Sequence, residues 1–110
     1  MEPVLQLALD FVDLPRALQV AEEAVAGGAD WLEAGTPLIK SEGLQTLREL
    51  KSRFPGKTLV ADMKTMDAGR AEVEFAAKSG AHIVGVLGAA SDATIRECIE
   101  AGQNYGAKII

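Results

Sequence analysis

The chain has 110 residues, of which 48% are hydrophobic and 25% charged, with a net charge of −5 and one cysteine, Cys98. This length suits one domain with a hydrophobic core, and the acidic balance argues against nucleic acid or a membrane as a partner. A lone cysteine excludes an internal disulfide, and no secretory signal or membrane-spanning run is present, so we expect one cytoplasmic domain over residues 1–110.

The chain opens with a strand–helix unit. Residues 4–10 form a short, almost continuously apolar run, which predicts a strand covered on both faces and ending in Asp10. Asp13 then occupies a helix N-cap position, and apolar residues at helical spacing continue until Gly27 and Gly28. An acid at the end of a buried strand is the first candidate functional residue.

A second unit repeats this pattern. Residues 29–35 predict a strand, and its acid, Glu33, falls near the C-terminal end. We expect a loop at residues 36–40, followed by one helix that opens at Ser41 and closes near Phe54, because leucines recur there at helical spacing. The acid again lies where a strand gives way to a loop.

The third predicted strand, residues 58–64, carries the most informative pattern. Alternation of side chains along a strand places Val60, Asp62 and Lys64 on one face and apolar residues on the other. The charges gather at the C-terminal end, where parallel α/β sheets and barrels carry their catalytic residues. Taken alone, this pattern fits an active-site edge and a polar turn with a structural ion pair about equally well.

The rest of the chain continues the alternation of strands and helices. We expect a helix over residues 69–80, a strand over residues 81–87, a helix capped by Ser91, and a fifth strand from Ala107. The predicted inner stripe of the last helix consists of Ile95, Cys98 and Ile99. This alternation predicts a parallel α/β fold, and four units plus the start of a fifth strand correspond to half of an eight-stranded barrel, which typically needs about 250 residues.

Three acids and a lysine are predicted to meet at one edge of the sheet: Asp10, Glu33, Asp62 and Lys64. They end, or nearly end, three successive strands, and parallel neighbours bring such ends together. Carboxylates grouped in this way repel one another unless a cation intervenes, and hard oxygen ligands favour Mg²⁺ or Mn²⁺ over zinc. We therefore expect a divalent metal site in which Lys64 stays charged and stabilises a developing oxyanion.

Two segments of the sequence resemble the 3-hexulose-6-phosphate synthase family. Residues 62–69 read DMKTMDAG, and residues 33–43 read EAGTPLIKSEG. The D-x-K-x-x-D core alone is shared across the orotidine 5'-monophosphate decarboxylase suprafamily, so the flanking residues narrow the choice. Residues 7–10 and 86–95 also resemble the synthase family, so that the similarity extends from the first strand to the end of the chain.

The resemblance implies a (β/α)₈ TIM barrel of which this chain is the N-terminal half. The implied reaction is the aldol addition of formaldehyde to D-ribulose 5-phosphate through a metal-stabilised enediolate. Glu33 and Asp62 match the family's metal-binding acids for Mg²⁺ or Mn²⁺, Lys64 matches the lysine beside the enediolate, and Asp10 matches the acid ending the first strand. Asp67 matches an acid that reaches the neighbouring subunit's site, which implies a homodimer.

The family's remaining machinery, a histidine from strand five and the phosphate-binding loops, would lie beyond residue 110, so we expect the isolated 110 residues to be inactive. His82 falls near the start of a predicted strand, which favours a structural role. Two alternatives stay open. One is an enzyme like 3-keto-L-gulonate 6-phosphate decarboxylase, and the other is a non-catalytic half-barrel that associates with itself or a partner.

Overall fold

The computed structural model describes all 110 residues and contains five strands and five helices. In chain order they are β1 Gln6–Leu9, α1 Leu14–Ala26, β2 Trp31–Ala34, α2 Thr36–Glu42, α3 Gln45–Arg53, β3 Thr58–Thr65, α4 Gly69–Lys78, β4 Ile83–Val86, α5 Asp92–Tyr105 and β5 Lys108–Ile109. None of these helices combines the length and the apolar character that a bilayer crossing requires.

All five strands pair in parallel in the order β1-β2-β3-β4-β5. The spatial order therefore follows the chain order throughout. A doubly wound sheet reverses its strand order at one point, whereas the sheet of a TIM barrel does not. The predicted α/β class and the half-barrel arrangement are confirmed.

The two faces of the sheet differ in character. One face joins the helices in a core of 18 buried residues, to which β3 contributes Leu59 and Ala61. Val60 is 2% exposed but lies outside this core, so it belongs to the opposite face. The predicted alternation along β3 is confirmed. Asp62 shares the face of Val60, which is the concave side in a barrel.

Two helices begin at the predicted caps. The Asp13 carboxylate accepts a hydrogen bond from the Arg16 backbone N–H at 2.9 Å, and the Ser91 hydroxyl accepts one from the Thr94 N–H at 3.2 Å. Each cap satisfies a backbone donor that the first helical turn leaves free, which is typically worth about 1 kcal/mol. The caps fix where the chain turns back over the sheet.

The prediction for residues 36–54 was wrong in two respects. Residues 36–40, expected as a loop, form most of α2, and the single helix expected from Ser41 to Phe54 is interrupted. Gly43 has a φ of 71°, which residues with a side chain rarely adopt; it ends α2, and α3 starts two residues later. A seven-residue helix is too short to show a periodic apolar pattern, which is why it read as a loop.

The inner stripe of α5 also differs from the prediction. Cys98 is fully buried as expected, but Ile99 is 45% exposed. The buried positions of α5 are Thr94, Cys98, Ala101 and Gly102, which are spaced as one face of a helix requires. The small residues face the core because α4 and α5 approach closely, and the larger Ile99 is turned outward.

Candidate active site

The register of the sheet assembles a row of residues at the C-terminal ends of the strands. Leu9 pairs with Ala34, and Ala34 pairs with Ala61. One position further along each strand, Asp10 therefore lies beside Gly35, and Gly35 lies between Asp10 and Asp62. Parallel pairing thus brings acids from β1 and β3 to one edge, as the sequence predicts.

Glycines give these acids room. A Cβ on Gly35 would overlap the Oδ1 of Asp10, and a Cβ on Gly85 would lie 3.3 Å from the Oδ1 of Asp62. Each carboxylate therefore lies close to a glycine that belongs to the neighbouring strand or directly follows it. Any larger residue at Gly35 would displace Asp10 from the edge of the sheet.

Lys64 and Asp62 form an ion pair between Nζ and Oδ2, with 54% and 24% of their side chains exposed. The hydrogen bond that Lys64 donates to Asp62 raises the pKa of Lys64, which favours the charged ammonium form. Lys64 has a φ of 47°, and the β3–β4 register shifts between Ala61 and Thr65. A left-handed conformation in a residue other than glycine costs about 1–3 kcal/mol and is typical of functional sites.

Glu33 lies two residues before Gly35, in the row that also contains Ala8 and Val60. Its Oε1 accepts a hydrogen bond from Nε2 of Gln6 at 2.6 Å. Burial raises the pKa of Glu33, and the negative charges of Asp62 and Asp10 raise it further. A carboxylate in this position gains from any cation that comes between it and the other acids.

Thr36, the first residue of α2, connects to the same cluster. Its hydroxyl donates to the backbone carbonyl of Asp62 at 2.6 Å and accepts from Nζ of Lys64 at 3.1 Å. Thr36 and Gln6 are the members of the cluster that the sequence analysis missed. A polar residue on the Asp10 face of an apolar strand was the available signal for Gln6, and a Thr-Pro pair, common at helix starts, was the signal for Thr36.

Asp67 lies outside this cluster. It is exposed in the loop between β3 and α4, where its Oδ1 accepts a hydrogen bond from the Ala68 backbone N–H at 2.7 Å. The structure brings together Asp10, Glu33, Asp62 and Lys64. Asp67 follows Lys64 by three residues, but its side chain is exposed to solvent. Its predicted role in a neighbouring subunit stays a prediction.

The donor set suits one kind of metal site. No three acid, histidine or cysteine side chains lie close enough together to enclose an ion. Mg²⁺, however, is usually bound by one or two carboxylates, with waters or substrate oxygens completing its shell. Glu33 and the Oδ1 of Asp62 would provide such a pair. Burial, and to a smaller extent the charges of Asp62 and Asp10, raises the pKa of Glu33, and a bound cation would offset both effects.

His82 lies at the opposite end of the strands. Its Nδ1 accepts the Leu59 backbone N–H at 2.9 Å, and its Nε2 lies 2.9 Å from Nζ of Lys51. Burial lowers the pKa of His82, and the charge of Lys51 lowers it further. These contacts fix β3 against α3, which agrees with the predicted structural role.

A groove of about 540 Å³ between α1 and α3 lies on the helical side and contains none of the clustered acids.

The fold is half of a TIM barrel, and its lysine–acid cluster lies at the carboxyl edge of the strands, where TIM barrels carry their active sites. Residues 3–110 match the model of the Orotidine 5'-phosphate decarboxylase / HUMPS family. The chain belongs to this family.

Comparison with individual proteins shows which members of the family this chain resembles. The chain is 43% identical over 106 residues to 3-hexulose-6-phosphate synthase of Bacillus subtilis (strain 168), covering 96% of this chain and 50% of the relative. A crystal structure of 3-hexulose-6-phosphate synthase has a TM-score of 0.93 and 44% identity, over 97% of this chain and 51% of that one. 3-Keto-L-gulonate-6-phosphate decarboxylase from Vibrio cholerae O1 biovar El Tor str. N16961 has a TM-score of 0.95 and 36% identity, over 99% and 50%.

The resemblance to the synthase family is therefore confirmed. The chain spans about half the length of the relatives it matches.

Proposed function

We propose that this chain supplies the metal-binding and enediolate-stabilising part of a 3-hexulose-6-phosphate synthase. The reaction joins formaldehyde to D-ribulose 5-phosphate and gives D-arabino-3-hexulose 6-phosphate. The observation that carries this proposal is the ion pair of Lys64 with Asp62, beside Glu33 and Asp10 at the carboxyl edge of the sheet. Similarity to proteins named 3-hexulose-6-phosphate synthase supports the choice of reaction.

The chemistry requires stabilisation of negative charge. A base takes the C1 proton of the ketose, which leaves an enediolate. C1 then forms a bond to the carbon of formaldehyde, and the formaldehyde oxygen takes up one proton in place of the one removed. Lys64 is the cation at this edge, and its N–H groups donate to oxygens that gain charge as the proton leaves. Asp62 keeps that ammonium at the edge, and Asp10 flanks it on the β1 side.

A divalent ion, Mg²⁺ or Mn²⁺, is part of the proposal, with Glu33 and Asp62 as its ligands. When bound, it would act as a Lewis acid toward the oxygens of the sugar phosphate. The residues alone explain why a cation belongs there, because Glu33 is half-buried and repelled by Asp62 and Asp10. A homodimer in which Asp67 reaches the partner's site is proposed from the family resemblance, and the cytoplasmic location stays a prediction from composition.

Two other functions compete with this proposal. A 3-keto-L-gulonate 6-phosphate decarboxylase activity is favoured by the TM-score of 0.95 to such an enzyme, but the 36% identity is lower than the 44% to the synthase structure. A non-catalytic half-barrel is the second alternative, because the chain spans about half the length of its relatives. The gene sequence beyond Ile110 distinguishes the non-catalytic half-barrel from an enzyme. An in-frame segment that contains a histidine would favour the enzyme, whereas a stop codon would favour the non-catalytic half-barrel.

The proposal is tested with the protein produced from its complete gene. Purified protein is incubated with Mg²⁺, D-ribulose 5-phosphate and formaldehyde, and formation of the hexulose phosphate is measured against a parallel assay of 3-keto-L-gulonate 6-phosphate decarboxylation. We expect the aldol reaction to be the faster one. If decarboxylation is faster, the decarboxylase activity replaces the proposed reaction. If the protein is inactive with both substrates, the non-catalytic half-barrel is favoured. We also expect the isolated 110 residues to be inactive in both assays.

A further inference from the structure

The hydroxyl of Thr36 makes two hydrogen bonds to β3. It donates to the carbonyl of Asp62 at 2.6 Å and accepts from Nζ of Lys64 at 3.1 Å. A hydroxyl can donate and accept at the same time, which neither a lysine nor a carboxylate can do. Thr36 therefore connects the backbone of one cluster residue to the side-chain ammonium of another.

The packing of α2 fixes the position of Thr36, so its hydroxyl can fix the position of a second side chain. It is half-buried, it opens α2, and the Ile39 N–H closes the first turn on the Gly35 carbonyl at 3.0 Å. Leu38, in the same turn, is fully buried in the core. The position of the hydroxyl is thus set by a helix that packs against the sheet, and not by β3 itself.

Lys64 needs a contact of this kind. Its side chain is 54% exposed, and a lysine has a flexible four-carbon stem. The ion pair with Asp62 holds the ammonium at one point only, and because the pair is partly exposed, water weakens the attraction. The ammonium group has three N–H donors: one is directed at Asp62 Oδ2 and a second at Thr36 Oγ1, which leaves the third for a ligand.

We propose that Thr36 is a positioning residue that, together with Asp62, aims the remaining N–H of Lys64 at the oxygen that becomes negative in the reaction. This inference rests on the proposed function, and it adds a residue from α2 to a site otherwise built from strand ends. The donors that matter for such an oxygen are those already in place before charge develops. A lysine held at one point only would have to find its orientation during each turnover.

The test compares Thr36→Val with Thr36→Ser in the protein produced from its complete gene. Valine matches the shape of threonine but removes both hydrogen bonds, whereas serine retains the hydroxyl. For T36V we expect kcat to fall about 10- to 100-fold with KM changed by less than about threefold, because the lost contact acts on the transition state more than on substrate binding. T36S is expected to retain most of the wild-type kcat.

Ser41→Ala is the matched control. Ser41 also lies on α2, and its hydroxyl donates to a backbone carbonyl, that of Val12, at 2.7 Å, but it does not contact the cluster. S41A therefore removes a similar hydrogen bond from the same helix. We expect its kcat and KM to match those of the wild type.

A crystal structure of T36V provides a second measurement that does not depend on activity. We expect Nζ of Lys64 to have left its place beside Asp62 Oδ2 or to be disordered, with α2 unmoved. A wild-type kcat in T36V, or an Nζ that stays in place, would overturn the positioning role, as would equal losses in T36S and T36V. If the wild-type protein lacks synthase activity, the proposed function fails, and the position of Nζ alone then decides the role of Thr36.

Discussion

Gly35→Ala tests the close approach between β1 and the start of α2. The new Cβ would overlap the Oδ1 of Asp10 and lie 2.6 Å from the backbone oxygen of Leu9. The Asp10 side chain is exposed and can rotate away, but the Leu9 oxygen cannot, because it accepts the Gly35 N–H at 3.0 Å. The contact with Leu9 is about 0.8 Å closer than ordinary van der Waals distance, so the ends of the two strands have to move apart.

The cost follows from overpacking. Inserting a methyl group into a close-packed place typically costs about 1–3 kcal/mol, and we expect a loss of stability in that range for G35A. We expect a second effect on activity, because Asp10 can no longer lean over residue 35 and leaves the edge where the acids meet. The two effects have one origin but are measured separately.

Urea unfolding of the protein from its complete gene gives the stability change, and the aldol assay gives the activity. Gly56→Ala is the matched control, because a Cβ there meets no atom within 4 Å and its backbone is not left-handed. G56A is expected to alter the free energy of unfolding by less than about 1 kcal/mol, and toward greater stability. A G35A variant with wild-type stability and wild-type kcat would refute the argument from the acid–glycine contact.

Two further predictions concern residues away from the acids. Because the pKa of His82 is lowered in the folded protein, its ring stays neutral while the unfolded chain takes up a proton below about pH 6.5, so stability should fall as the pH drops through that value. His82→Gln should remove this part of the pH dependence in urea unfolding measured from about pH 7.5 to 5.5, and an unchanged slope would contradict it. Cys98 is fully buried, and burial raises the pKa of its thiol, so it should resist iodoacetamide in the native protein and react in urea. Rapid labelling of the native protein would contradict this.

Most helix ends could be predicted from the sequence because they rest on local chemistry, and the parallel sheet could be predicted because strand–helix–strand connections follow a fixed handedness. Asp13 and Ser91 are N-caps in the structure for the reason that makes them visible in the sequence, namely a side-chain oxygen placed to accept a backbone N–H. The α2 helix could not be predicted in the same way. Its first residue is preceded by Gly35, which has no capping side chain, and seven residues give too few turns for a periodic signal.

The candidate site could likewise be predicted only in part from the sequence. Asp10, Asp62 and Lys64 could be placed at one edge because strand alternation and parallel pairing follow simple rules. The φ of 47° at Lys64 arises where β3 and β4 lose register, and no residue type in the sequence marks that irregularity. The two contacts of Thr36 depend on how α2 packs against the sheet, so they required tertiary structure.

The exchange of the C1 proton of D-ribulose 5-phosphate in D₂O, with Mg²⁺ and without formaldehyde, is the most direct measurement of the central claim. It isolates formation of the enediolate from the addition that follows. The protein from its complete gene should exchange this proton, and either chelation of Mg²⁺ or Asp62→Ala should abolish exchange while circular dichroism shows the fold retained. Exchange that persists in D62A, or in the presence of a chelator, would contradict a site built from Asp62, Glu33 and Lys64.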